Sequence, residues 1–280
     1  MTEAERSPLE TRVLHEPEEL IGVAWSCTEA CAGPSWFRGQ ADARWSLQPE
    51  VCRPEILRGR ERRAFEDELA KSFRRQAEAR LSEHESRSWT DWLALMQHHG
   101  APTRLLDWTT SILVAAFFAV HGREQAGVDG AIWALDPLRL NEVELGQRVL
   151  FTADDPIGTL ACMLPFSELP SAELDAGDGL VTRLQDSIVA MEPHESFARM
   201  LLQQSRFTVH GRSRGLEESA AVPPVLSRFV IPAARKDHFE RTLALLGIRL
   251  STVFPDLDHL AEELREDPRR DGLRRLPRSA

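Results

Sequence analysis

Gln97-His98-His99-Gly100-Ala101-Pro102-Thr103-Arg104-Leu105-Leu106-Asp107-Trp108-Thr109-Thr110-Ser111 joins two apolar stretches and decides how the chain is read. Upstream, Trp92, Leu95, Met96 and His99 recur at helical spacing and read as an inward face. Ser88 or Thr90 is placed to cap that helix, and Gly100 followed by Pro102 stops it in the manner of a left-handed C-cap. Downstream, Ser111 is placed to cap a second helix running through Phe117, Phe118 and Val120 to Gly122. That helix is apolar nearly all round, which predicts a central position. Between the two, residues 101–110 read as loop or short strand, carrying polar groups where rigid elements would hold them.

Working outward, residues 10–29 read as a helical entry broken at Pro17, and 35–40 as a short strand ending at Gly39. From 60 to 81, Phe65, Leu69, Phe73, Ala77 and Leu81 recur every four residues, predicting a helix with a buried stripe and arginines facing water. Further strands are expected at 130–135, 149–152, 186–191, 206–210 and 227–231, with helices at 233–246 and 255–264. Strands and helices interleave irregularly, so the expected class is α+β, a mixed and mainly antiparallel sheet packed with helices. One domain is expected over residues 1–262, with a helical entry at 1–32 and a basic, flexible tail at 263–280.

The chain has 280 residues, 42% of them hydrophobic and 28% charged, the composition of a soluble globular protein. No secretory leader is visible and the longest apolar run, 112–120, is far too short for a bilayer, so a cytoplasmic location without membrane attachment is expected. The formal charge of −10 argues against a surface that neutralises duplex phosphates throughout. Cys27, Cys31, Cys52 and Cys162 lack the paired spacing of zinc sites and read as buried thiols, so no metal is expected.

Phe37-Arg38-Gly39-Gln40, the block Leu95 to Thr109, Asp129 to Trp133, Gln203-Gln204 before Phe207 to Gly211, and Phe254 to Asp258 together resemble the FRG-domain family. His99 stands where the family often has tyrosine, and Ser205 where it usually has glycine. The resemblance implies a bacterial protein, often carried in phage, prophage or defence settings, and hence a toxin or anti-phage effector.

An arginine on a strand followed by glycine and glutamine offers a bidentate donor where a bare backbone admits an anionic ligand. The Arg38 segment also resembles the opening strand of ADP-ribosyltransferases, which implies a grip on the diphosphate of NAD. Thr109, Thr110 and Ser111 resemble the Ser-Thr-Ser segment of one branch of that superfamily, although capping claims at least one hydroxyl. Where those enzymes carry a late glutamate, Gln203 and Gln204 stand here, so a catalytic carboxylate would have to come from Asp107, Glu192 or Glu195.

His98, His99, Asp107 and His210 also permit a histidine- or metal-dependent nuclease, with histidine as general base. Arg104 and Asp107, three apart, are as readily a structural ion pair as catalytic groups, and Trp108 is either core or a stacking surface for a base. The candidate site is Asp107, Gln204 and His98 as catalytic groups, with Arg38, Gly39, Gln40, Arg104, Thr109, Ser111 and His210 binding the ligand. The leading expectation is a nucleotide ligand, NAD as substrate, and glycosidic cleavage or ADP-ribose transfer to water, a protein or a nucleic acid. A non-catalytic module binding nucleic acid or a phage protein is the third alternative, and the oligomeric state is open.

Overall fold

A computed structural model describes residues 9, 11–31, 33–53, 59–81, 87–163, 179–194, 198–211, 214–218 and 225–266 of the chain. Eight strands form one sheet: β1 (Thr11–Val13), β2 (Trp36–Gln40), β3 (Leu105–Thr109), β4 (Gly130–Leu135), β5 (Phe151–Thr152), β6 (Ile188–Glu192), β7 (Ser205–His210) and β8 (Leu226–Ile231). Their order is β1-β8-β4-β2-β3-β7-β6-β5. The two edge pairs, β1–β8 and β5–β6, are parallel, and the five inner pairs are antiparallel. The class is α+β, as expected from the interleaving of apolar runs.

The centre of the sheet is not sealed. β2 pairs with β4 over five registers and β3 with β7 over five, but β2 meets β3 at Phe37↔Thr109 alone. The two halves of the sheet are thus hinged at one residue pair and part below it.

Helices cover the two halves separately. On one half lies α4 (Ile112–Val120), whose Ile112, Ala115, Ala116, Phe117, Ala119 and Val120 join Phe37, Ile132 and Ala134 in one core. Before it in the chain come α1 (Glu19–Ala30), α2 (Gly59–Glu78) and α3 (Trp89–His98). α1 contributes Leu20 and Val23 to that same core. On the other half, α2 and α3 pack with α6 (Pro156–Met163) over Leu105, Val189, Met191, Phe207 and Val209. The opposite face carries Trp36, Trp108 and Trp133, packed with α5 (Pro137–Leu145) through Leu140. Strand alternation sorts these layers, with Ala131, Trp133 and Leu135 pointing one way and Ile132 and Ala134 the other.

Several local expectations hold at residue level. Ser88 caps α3 in a reciprocal box with Asp91, Gly100 takes φ +77 after its last turn, and the Ser111 side chain accepts from Val114 N at 3.3 Å. Others need correction. The expected helical entry begins only at Glu19. Thr11–Val13 is instead an edge strand beside Arg228–Val230, and the Glu19 carboxylate accepts from the amides of His15 and Glu16, starting the helix there. His99 is exposed rather than inward, because the helix ends at it.

The charged face of α2 is not all solvated either. Arg62 and Glu66 lie on its deepest side with Ala70, while Phe65, Leu69 and Phe73 are only half-buried. Toward the C-terminus, α7 (Leu180–Asp186), α8 (Ala198–Leu202), α9 (Lys236–Leu245), the unexpected single turn α10 (Leu250–Val253) and α11 (Leu257–Glu266) complete the described helices. The tail expected from 263 therefore begins inside α11, and 267–280 lie outside the described residues. Among the described residues no helix is long and apolar enough to cross a membrane.

Two glycines explain how α4 sits so close to the sheet. A Cβ on Gly39 would fall 1.8 Å from the Ala115 carbonyl oxygen, and one on Gly130 would fall 2.1 Å from that of Ala119. Backbone meets backbone there, so no rotamer change relieves the clash. Gly39→Ala should cost about 3 kcal/mol or more, lowering the thermal midpoint by roughly 10 °C. Gly22→Ala, with nothing within 4 Å, is the control and should leave the midpoint unchanged or raise it.

Candidate functional site

Where β2 and β3 part, a cleft of about 230 Å³ opens between the cores on either side, floored by Phe37, Gly39, Asp107 and Thr109. α3 supplies Gln97 and His98 to one wall, α4 supplies Val114 and Phe118, and α8 with the turn after it supplies Arg199, Met200 and Gln203. Five expected residues therefore meet: Arg38, Gly39, His98, Asp107 and Thr109.

Arg38 bridges the parting. Its Nη1 donates to the Asp107 carbonyl at 2.7 Å, the acceptor that a continuous β2–β3 ladder would have used, while its buried Nε has no partner among the described residues. Burial, and secondarily the nearby Arg53, push the guanidinium down from its usual value, with Asp107 opposing them. Arginine keeps its proton all the same, so a fixed cation lines the cleft while its Nε is sealed inside the fold.

Asp107 is the exposed residue of an otherwise buried strand. Gln97 Nε2 donates to its Oδ1 at 2.6 Å, and the Gln97 Oε1 accepts from the Thr103 hydroxyl at 2.6 Å. The relay fixes which way the Gln97 amide points and so orients the carboxylate. Thr109 is buried at the hinge, and its hydroxyl oxygen accepts from the Ser111 amide at 3.0 Å. His98, at the end of α3, is held below the ordinary histidine value of 6.5 by burial first, then by Arg199 and His99, with Asp256 opposing. It faces the cleft as a neutral imidazole at pH 7.

The remaining candidates are placed elsewhere. Arg104 lies buried against Glu66 of α2, so the expected Arg104–Asp107 pair does not form. Gln40 is buried on the tryptophan face, accepting from Trp133 Nε1 at 2.7 Å and donating to the Ser46 carbonyl at 3.1 Å. His210 is fully buried against the Thr208 hydroxyl. Ser111 spends its oxygen on the cap of α4. Gln204 occupies a turn at φ +49, where its Oε1 accepts from the Thr110 hydroxyl at 2.7 Å. Gly39, by contrast, does line the cleft, but its missing Cβ is required by the close approach of helix α4. Glu192 is ion-paired with Arg206 at 3.1 Å, and Glu195 lies outside the described residues.

Three cleft residues were not singled out from the sequence in these positions. Gln97 belongs to the opening stretch but was given no role there. Gln203, not its neighbour, reaches the cleft and donates to the Val253 carbonyl at 3.1 Å. Arg199 carries no motif at all; it arrives because the five-residue α8 sets it over the Phe254 ring, 4.4 Å from the centroid.

A second cavity of about 200 Å³ lies across the same partition, lined by Gln48, Glu50, Arg53 and Thr103. Arg38, Gln97 and Asp107 line both. The cysteines stand apart from this chemistry: burial pushes the thiols of Cys27, Cys52 and Cys162 up to about 11, where they are inert.

Residues 33–127 match the family model described as the FRG domain. The match takes in Arg38, His98, Asp107 and Thr109, and leaves Arg199 and Gln203 to the part of the chain beyond it. No curated protein and no solved structure matches the chain.

Arg104 and Glu66 brace the rear of β3, and they make a direct test of how the site is supported. Glu66→Gln strands a buried guanidinium and should cost about 3 kcal/mol in urea-induced unfolding. A loss below about 1 kcal/mol, the value of an exposed pair, would show that the pair does not brace the strand.

Proposed function

We propose that this chain, which carries an FRG domain, binds a nucleotide where its sheet parts, and that NAD is the substrate whose glycosidic bond is cleaved or whose ADP-ribose is passed to a protein or nucleic acid. The observation that carries this reading is the meeting of an unsaturated arginine, an oriented carboxylate and a hinge hydroxyl, Arg38, Asp107 and Thr109, on one cleft. Neither cavity reaches the ~300 Å³ at which small-molecule sites begin, yet they share a wall. A dinucleotide lying across Arg38 would occupy both.

Each residue has a role in that chemistry. Breaking the bond between ribose and nicotinamide returns the electron pair to the ring nitrogen and leaves positive charge on the anomeric carbon and ring oxygen. The Asp107 carboxylate, fixed by Gln97, stabilises that charge without having to reorganise. Arg38 attracts a phosphoryl group as a fixed positive charge on the cleft wall. Thr109 and the Gln203 amide hold ribose hydroxyls. With water as acceptor, its oxygen bonds to the anomeric carbon and neutral His98 takes the proton released. Consumption of NAD, or modification of a macromolecule, would suit the bacterial toxin or anti-phage effector that the FRG resemblance implies.

Purified chain incubated with NAD should release nicotinamide, measured by chromatography. Asp107→Asn should slow release by about 100-fold or more while leaving the thermal midpoint unchanged. No release, together with no NAD binding by the wild-type chain, overturns the reading.

The pH profile carries a separate expectation. Since His98 must be neutral to accept a proton and its pKa is lowered, the rate should be flat through neutrality and fall only below pH 6.5. A limb centred above pH 6.5, or one that survives His98→Ala, would assign the base elsewhere.

A further inference from the structure

The cleft is cationic in a way that its own residues do not balance. Arg199 is half-buried, and among the described residues its guanidinium has no hydrogen-bond partner; it rests on the Phe254 ring at 4.4 Å. That ring is itself stacked on His259, centroids 4.4 Å apart at 17°, and His259 is held by Asp256 at 2.7 Å. The platform under Arg199 is therefore built in layers from the C-terminal segment. It fixes a rotamer-rich side chain in place without using any of its donors.

A guanidinium taken partly out of water loses solvation that a counter-charge normally restores. Burial lowers the Arg199 pKa first, and Asp107 and Asp256 oppose it, yet neither carboxylate hydrogen-bonds it. Arg38, facing the same cleft, has the same deficit: a buried Nε without a partner and a carbonyl, not a carboxylate, on Nη1. Among the described residues Asp107 is the one carboxylate lining this cleft, and it is engaged by Gln97. Two fixed guanidinium groups thus converge on one oriented carboxylate beside a neutral histidine.

We infer that Arg199 and Arg38 form a two-arginine clamp for a phosphoryl group, and that the ligand of this cleft enters as a phosphoryl-bearing anion. Arg199 presents the flat edge of its guanidinium, which matches two phosphoryl oxygens at once, while Phe254 covers its face. The inference deepens the nucleotide reading, because it fixes the part of the ligand that is gripped and supplies that grip from outside residues 33–127. It does not depend on NAD being cleaved.

The test titrates the full chain calorimetrically with pyrophosphate, ADP and adenosine. Pyrophosphate and ADP should bind, with affinity falling as salt is raised, and adenosine should bind at least tenfold more weakly than ADP. Arg199→Met should weaken ADP by roughly 10- to 100-fold, Arg199→Lys by less, and neither should alter adenosine. Phe254→Leu should weaken ADP in the same direction by removing the platform.

Unchanged ADP affinity in Arg199→Met, equal loss for adenosine and ADP, or no binding of pyrophosphate and ADP by the wild-type chain each overturns the clamp. Arg199-dependent binding of pyrophosphate without nicotinamide release upholds the clamp and removes NAD as the substrate.

Discussion

The site depends on a sheet that is held shut at one point and held open everywhere else along the same seam. α4 is pressed so closely onto β2 and β4 that Gly39 and Gly130 have no room for a Cβ. β3 is fixed independently, by five registers with β7 and by the core under α3. With each neighbour committed to its own half, β2 and β3 share only Phe37↔Thr109, and the carbonyl of Asp107 is left for a side chain to claim. Arg38 claims it. One contact thereby closes the gap in the ladder and leaves a cation at the bottom of a cleft, which is how an irregularity of backbone pairing becomes a place for chemistry.

The polar residues divide according to which side of that seam they serve. Gln40, Arg104 and His210 satisfy one another's neighbours inside the protein: an indole, a carboxylate and a hydroxyl respectively. Such groups are costly to bury without partners, and each of these has found one within the fold. Asp107 and Arg199 retain capacity facing the cleft, and each is positioned by a neighbour that does not consume it, an amide and an aromatic ring. Separating the two sets needs coordinates, because an isolated Arg or His in a sequence looks the same in either role.

What was legible in the sequence follows from period and punctuation. The caps at Ser88 and Ser111, the stop at Gly100 and the near-continuous apolar run of α4 each depend on contacts within a few residues. The polar cluster of 97–111 was legible for the same reason, and Gln97, His98, Asp107 and Thr109 of that stretch line the cleft. Arg199 and Gln203 were not legible as its neighbours, since they reach the cleft from a five-residue helix that carries no period and from the turn after it. The error at Thr11–Val13 has a related cause: three residues can be read as helix or strand, and the decision came from Arg228–Val230, more than two hundred positions away. Arg62 and Glu66 misled in the opposite sense. Their helical spacing was plain, but charge was taken as exposure; Glu66 is buried against Arg104, and Arg62 donates to the Cys52 sulfur and the Gly211 carbonyl.

That pairing bears on how precisely a carboxylate can be aimed. β3 is constrained on both faces, by Leu106 and Trp108 in the tryptophan layer and by Leu105 in the core under α3. Trp108 adds an indole hydrogen bond to Thr208 at 3.0 Å, and Arg104 ties the start of the strand to α2. Asp107 is the position in this strand that faces outward, so the strand's rigidity is passed directly to its carboxylate. Electrostatic stabilisation of a developing charge requires groups that do not move to meet it, since reorganisation consumes the energy that the field would supply. A carboxylate on a free loop would relax toward the nearest arginine and be neutralised. Held by β3 and by Gln97, the Asp107 carboxylate shares the cleft with Arg38 and Arg199 without hydrogen-bonding either guanidinium, Arg38 taking the Asp107 backbone carbonyl instead.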